Sequence, residues 1–230
     1  MPNRTLVSSL VAELVGTLLM VLLLGAAVIV NASSGGELGL LGIALASGLI
    51  VAALATAFTP VSGGQFNPAV TIALWLVGRV RTIEGIRIIV AQVLGAVAAG
   101  FTLKLAFNGF DAGDTQWSIG GGGAVTIADG LTQLTAISIE AILTGVLVYT
   151  VLLATADSRA PRLGALLVGG VITANILIGG LLTGAAMNPA RWFGPALAVG
   201  DLTSAVVYIV GPLVGAVVAA LTVRYLFAER

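Results

Sequence analysis

The chain has 230 residues, 58% of them hydrophobic and 9% charged, with ten basic residues against ten acidic ones and a mean hydropathy of +1.12. A soluble domain carries about 25% charged residues, so this chain must find its solvent in a lipid bilayer, and its zero net charge leaves no electrostatic case for nucleic acid as a partner. Cysteine and histidine are both missing, which excludes disulfides, thiolate metal sites and thiol nucleophiles. It also removes the commonest metal ligand and the side chain that ordinarily titrates between about pH 5 and 8.

A membrane helix needs about 20 mostly apolar residues. The first apolar run, Leu10 to Val30, follows Arg4 and contains Gly25-Ala26-Ala27, as a signal peptide might. It is longer than a signal's apolar core of about 7–15 residues and contains Glu13, so it predicts a membrane helix over 8–31. Five more spans are predicted at 39–58, 83–107, 132–155, 163–182 and 203–226. The stretch NGFDAGDTQWSIGGGGAVTIADG, between the third and fourth spans, has no apolar period and reads as a loop. Two further apolar pieces, 67–78 and 188–198, are too short to cross. Each opens on Asn-Pro, where proline suits the first helical turn, and both read as half-helices.

With the amino terminus placed in the cytoplasm, Arg4, Arg79, Arg81, Arg87, Arg159, Arg162, Arg224 and Arg230 all fall inside. Glu37, Asp111, Asp114, Asp129 and Asp201 fall outside, with Lys104 near the outer end of the third span. That is the positive-inside bias, and both termini are expected in the cytoplasm. The halves, about 8–107 and 132–226 of a single domain over 1–230, also match. AELVGT, with Glu13 and Thr17, pairs with IEAILT, with Glu140 and Thr144; AQVLGA at 91–96 pairs with GPLVGA at 211–216. Each half has three spans, an odd number, so the second enters the membrane inverted.

The inversion sends one half-helix in from each side, so that Asn67-Pro68-Ala69 and Asn188-Pro189-Ala190 meet near the midplane. Irregular backbone at that depth requires burial in protein or a water-filled cavity. Each half-helix amino end carries roughly +0.5 charge, and the asparagines offer both donors and acceptors. Such a place admits neutral oxygen-bearing molecules and repels cations. Arg191 follows the second tripeptide, and an arginine inside a membrane usually marks a conduction path. Its counterpart in the first half is Val70. Glu13 and Glu140 read either as a proton relay or as braces that accept loop N–H groups, one per half-helix.

Both Asn-Pro-Ala tripeptides, the surrounds SGGQFNPAVT and NPARWFGPAL and the paired Glu-x-x-x-Thr helices resemble the aquaporin (major intrinsic protein) family over essentially the whole chain. The resemblance implies an all-α integral membrane fold, a right-handed bundle of six helices plus two re-entrant half-helices. It also implies a pore in each subunit of a homotetramer in the plasma membrane. It supports bracing for Glu13 and Glu140 and treats the buried amide Gln92 alike. It assigns the constriction to Ser47, Ile176, Ala185 and Arg191. Water-selective members typically carry Phe, His and a small residue at the first three, and glycerol facilitators Trp, Gly and Phe; this chain matches neither. Trp192 departs from both patterns too, and Tyr208-Ile209 sits between them. Pore selectivity follows diameter and lining donors, so the mouth is expected to be wider and less polar than a water-only filter. GGGG at 120–123 lacks the Lys-Ser/Thr of a phosphate loop and reads as backbone able to fold close over the pore mouth.

The expected function is a passive channel for water and small uncharged solutes that needs no cofactor or metal. Within the family, the alternative is a channel mainly for glycerol, urea or dissolved gas. From another class, an ion-coupled secondary transporter also uses inverted repeats and broken helices. No nucleophile–base pair supports an enzyme.

Overall fold

A computed structural model of the chain describes residues 5–108, 116–154 and 163–227. Among them are nine α-helices and no strand. Helix α1, Leu6–Ser33, opens on Thr5, whose hydroxyl accepts the Ser8 N–H. It ends where Gly35 and Gly36 take φ of 74° and 93°, a left-handed turn that closes helices readily only with glycine. The Asn31 Oδ1 then accepts the Gly39 N–H that begins α2, Gly39–Phe58. The half-helix α3, Pro68–Leu76, is followed by α4, Thr82–Asn108. After the one-turn α5, Gln116–Ile119, and a 3-10 turn at Gly121–Gly123 come α6, Gln133–Ala154, and α7, Gly164–Thr183. The second half-helix α8, Pro189–Val199, precedes α9, Ala205–Thr222, which widens into a π-helical turn at Val223–Phe227.

Helices α1, α2, α4, α6, α7 and α9 are long and apolar enough to cross a membrane, and each coincides with a predicted span to within a few residues. Residue 155 and the charges Arg4, Asp111, Asp114, Arg159, Arg162 and Arg230 lie outside the described residues. The stretch predicted as a loop is partly helical. Trp117 of α5 is buried against Ile29, Leu103 and Ala198, and this single aromatic anchor holds a turn too short to show a period.

The bundle is apolar outside, and its largely apolar interior encloses a small set of buried polar side chains. Leu134, Ile178 and Leu49 are 74%, 70% and 64% exposed, whereas Glu13, Glu140 and Gln92 are fully buried. Lipid solvates the first group, and the second must find its partners within the protein. The principal pairings are α1 on α4, α6 on α9 and α2 on α7. Helices come this close in lipid where small residues remove side-chain bulk: a Cβ on Gly95 would overlap the Leu14 carbonyl, and one on Gly48 would lie 2.5 Å from the Gly169 carbonyl. Calling the side where α1 begins the near face, α3 ends at the near face beside the end of α9, and α8 ends at the far face beside the end of α4. The half-helices therefore enter from opposite faces, and their amino ends meet between them.

Candidate functional site

The loops before α3 and α8 hold three non-glycine residues at positive φ: Phe66 at 51°, Ala185 at 48° and Met187 at 52°. A left-handed non-glycine residue costs about 1–3 kcal/mol and persists only where its surroundings impose it. Here the two buried glutamates impose it. Glu13 Oε1 accepts from Ser62 Oγ at 2.6 Å and the Gln65 N–H at 2.9 Å, and its Oε2 accepts the Phe66 N–H at 2.8 Å. Glu140 repeats the pattern with Thr183 Oγ1 at 2.6 Å, Ala186 N–H at 3.0 Å and Met187 N–H at 2.7 Å. The register that carries Asn67 onto Asn188 also carries Ser62 onto Thr183 and Phe66 onto Met187.

Gln92 differs from the expectation, because it touches no loop backbone. Its Nε2 donates to Glu13 Oε2 at 2.9 Å and to Thr71 Oγ1 at 3.0 Å, so it secures the glutamate. The second half has nothing similar: Pro212 and Trp192 stand at the matching positions. Instead, Tyr208 Oη donates to the Thr183 carbonyl at 2.8 Å. One turn on from each glutamate, Thr17 and Thr144 are fully buried, and neither hydroxyl has a hydrogen-bond partner.

Both asparagines cap their own half-helix and reach across to the other loop. Asn67 Oδ1 accepts the Ala69 N–H at 2.9 Å, and its Nδ2 donates to the Met187 carbonyl at 2.8 Å. Asn188 Oδ1 accepts from Ala190 N–H at 2.9 Å and Arg191 N–H at 3.3 Å, and its Nδ2 donates to the Phe66 carbonyl at 2.9 Å. An amide nitrogen has two protons, so the crossing uses one per asparagine and leaves one. Asn175 adds a support that the sequence did not flag: its Nδ2 donates to the Leu143 carbonyl at 2.9 Å and faces Met187 Sδ at 3.0 Å.

One cavity of about 580 Å³ runs along these residues. Asn67 and Asn188 line its middle, with Gln65, Val70, Leu74 and Arg79 toward the near face and Ser47, Ile176, Ala185 and Arg191 toward the far face. The four residues expected at the constriction thus all line this cavity, each less than 9% exposed. Arg191 Nη1 donates to the Gly123 carbonyl at 3.0 Å, so the glycine turn after α5 packs over that end of the cavity. Trp192 lies outside the lining. It is 3% exposed and stacks on Tyr208 at 5.7 Å between ring centroids; its departure from the family patterns changes packing behind the wall. Ser62, Thr183 and Asn175 escaped the sequence reading, as did the bond from Arg191 to Gly123, whose glycine run was expected to fold over the pore mouth. For Ser62 and Thr183 a signal existed: hydroxyl residues at matching places before the two tripeptides.

A family profile described as Major intrinsic protein matches residues 2–223. The chain is 38% identical over 215 residues to aquaporin NIP1-1 of Zea mays, covering 93% of this chain and 73% of the relative. It is 39% identical to aquaporin TIP4-4 of Zea mays over 97% of this chain and 88% of the relative. Nodulin-26 of Glycine max is 36% identical over 92% of this chain and 74% of its own length. The fold superposes on the X-ray structure of the aquaglyceroporin from Plasmodium falciparum with a TM-score of 0.83, covering 97% and 98% of the two chains at 24% identity. On the profile match and these relatives, the chain belongs to the major intrinsic protein family, the aquaporins, whose members are membrane channels and not enzymes.

Proposed function

We propose that the chain conducts water and small uncharged solutes passively in both directions, excludes protons and ions, and has a constriction wider than a water-only filter. The carrying observation is the reciprocal asparagine crossing on one cavity, with one amide proton of Asn67 and one of Asn188 uncommitted. Those protons suit a passing solute oxygen. Two half-helix amino ends, each worth roughly +0.5 charge, aim at the same point and disfavour any cation there. Arg191 adds a full positive charge on the far side of the crossing, and its remaining guanidinium donors suit a solute oxygen.

Ser47 and Ala185 are small, and Ile176 offers no hydrogen bond, so the constriction admits solutes broader than water with little polar compensation. Glycerol and urea are therefore expected to pass along with water. Arg79, Arg81 and Arg87, in or next to the turn between α3 and α4, and Arg224 at the end of α9 gather at the near face, which supports placing that face in the cytoplasm. The homotetramer enters the proposal on the family resemblance alone, and native mass spectrometry would test it.

Proteoliposomes measured by stopped-flow against water, glycerol and urea side by side test the reading. The expected result is faster volume change for water and at least one of the two solutes, unchanged when Na⁺ or proton gradients are collapsed. Strict dependence on either gradient would replace the channel with an ion-coupled transporter.

A further inference from the structure

The amino ends of the half-helices form the crossing, and their carboxyl ends carry a second reciprocal pairing. The last four carbonyls of a helix have no partner within it. In α3, the Ala73 carbonyl accepts from Val77 N–H at 3.1 Å, Leu74 from Arg79 N–H at 2.8 Å and Trp75 from Gly78 N–H at 2.9 Å. The fourth, Leu76, accepts from Arg224 Nη1 at 2.6 Å. In α8, the Ala196 carbonyl accepts the Gly200 N–H at 2.9 Å, and the Ala198 carbonyl accepts from Lys104 Nζ at 3.2 Å.

These two cations cross between the halves. Arg224, in the second half, holds the half-helix of the first; Lys104, on α4 of the first half, holds the half-helix of the second. The alignment of AQVLGA with GPLVGA, which carries Gln92 onto Pro212, carries Lys104 onto Arg224. Both sites therefore occur at equivalent ends of the third long helix of each repeat. The Arg224 guanidinium also lies 5.5 Å from the Tyr225 ring centroid, a cation–π distance that limits its swing. A cation at the carboxyl end of a helix meets the negative end of the helix dipole. At nine and eleven residues, α3 and α8 are too short to hold their shape unaided.

We propose that Lys104 and Arg224 are positioning residues: reciprocal cationic clamps that seat the outer ends of the half-helices and so keep their amino ends aimed at the asparagine crossing. The effect on conduction rests on the channel reading above; the clamp itself does not. Removing a clamp frees one half-helix, and it is the half-helix of the opposite repeat.

The test is hydrogen–deuterium exchange on the full chain in nanodiscs, comparing wild type with Arg224→Met, Lys104→Met and the charge-keeping Arg224→Lys and Lys104→Arg. Arg224→Met is expected to speed exchange across 68–76 roughly two- to fivefold, the range a cation at a helix end supplies, and to leave 189–199 unchanged. Lys104→Met is expected to do the reverse, and the charge-keeping variants to match wild type. Should either Met variant fail to insert, Arg224→Gln and Lys104→Gln keep a donor without charge and should shift exchange crosswise by a smaller factor. Faster exchange in both half-helices alike, only in the mutated helix, or nowhere overturns the clamp. In proteoliposomes the Met variants should also raise proton leak; crosswise exchange without added leak would cut the clamp's link to the pore. Wild-type vesicles that pass no water would overturn the channel reading and leave the exchange result standing.

Discussion

Arg191 is 5% exposed, and its guanidinium is held by a backbone carbonyl, that of Gly123, rather than by a carboxylate. Its positive charge therefore faces the cavity undiminished. Arg191→Ala should raise cation or proton leak through proteoliposomes by on the order of tenfold, a loss of about 1.4 kcal/mol of barrier; an unchanged leak would place Arg191 off the path. Gly123→Ala should move the leak in the same direction by less. Its φ is +69° and a Cβ there would lie 2.7 Å from the Gly25 carbonyl, so the carbonyl that holds Arg191 must shift. Asn67, Asn188 and Arg191 were legible in the sequence because a polar group inside an apolar run must be accounted for locally. Gly123 was legible only as part of a glycine run over the pore mouth; its bond to Arg191 was not, because that depends on the course of the loop and every residue type has a carbonyl.

Each loop and its glutamate form one unit, four donors to Glu13 and three to Glu140. Glu13→Gln would put an amide nitrogen in front of N–H donors. We expect it to cost about 2–3 kcal/mol, read as a lower thermal midpoint in detergent together with lost water flux. Stability equal to wild type would mean that the loop is held otherwise. Thr17→Val should act oppositely. The Thr17 hydroxyl is buried with no partner, so removing it should gain about 1 kcal/mol, and a clear fall in thermal midpoint would reveal an unseen partner. At this scale the spans and half-helices were legible from apolar run length and Asn-Pro openings. The helix α5 was not, because one turn anchored by Trp117 has no period. Nor was the unequal support of the two loops, since Gln92 and Tyr208 act across helices that the sequence does not pair.

The fold as a whole places an inverted pair of half-helices around one cavity, and its inversion was readable from the odd number of spans per half. The preferred solute was not readable, because Ser47 and Ile176 set a width without naming what fills it. With no histidine in the chain, water flux should stay flat from about pH 5.5 to 8; a steep titration there would point to a gate built from shifted carboxylates. The central claim is that one continuous path runs past the asparagine crossing from face to face. The chain has no cysteine, so wild-type flux should resist mercuric ions, and single thiols can be placed in an otherwise silent background. Val70 and Ala185 line the cavity on opposite sides of the crossing. The most direct test is stopped-flow water permeability of Val70→Cys and Ala185→Cys vesicles before and after mercuric chloride. Block of both variants, reversed by a thiol reductant, is the predicted result; water flux that continues undiminished in both would contradict a path through this cavity.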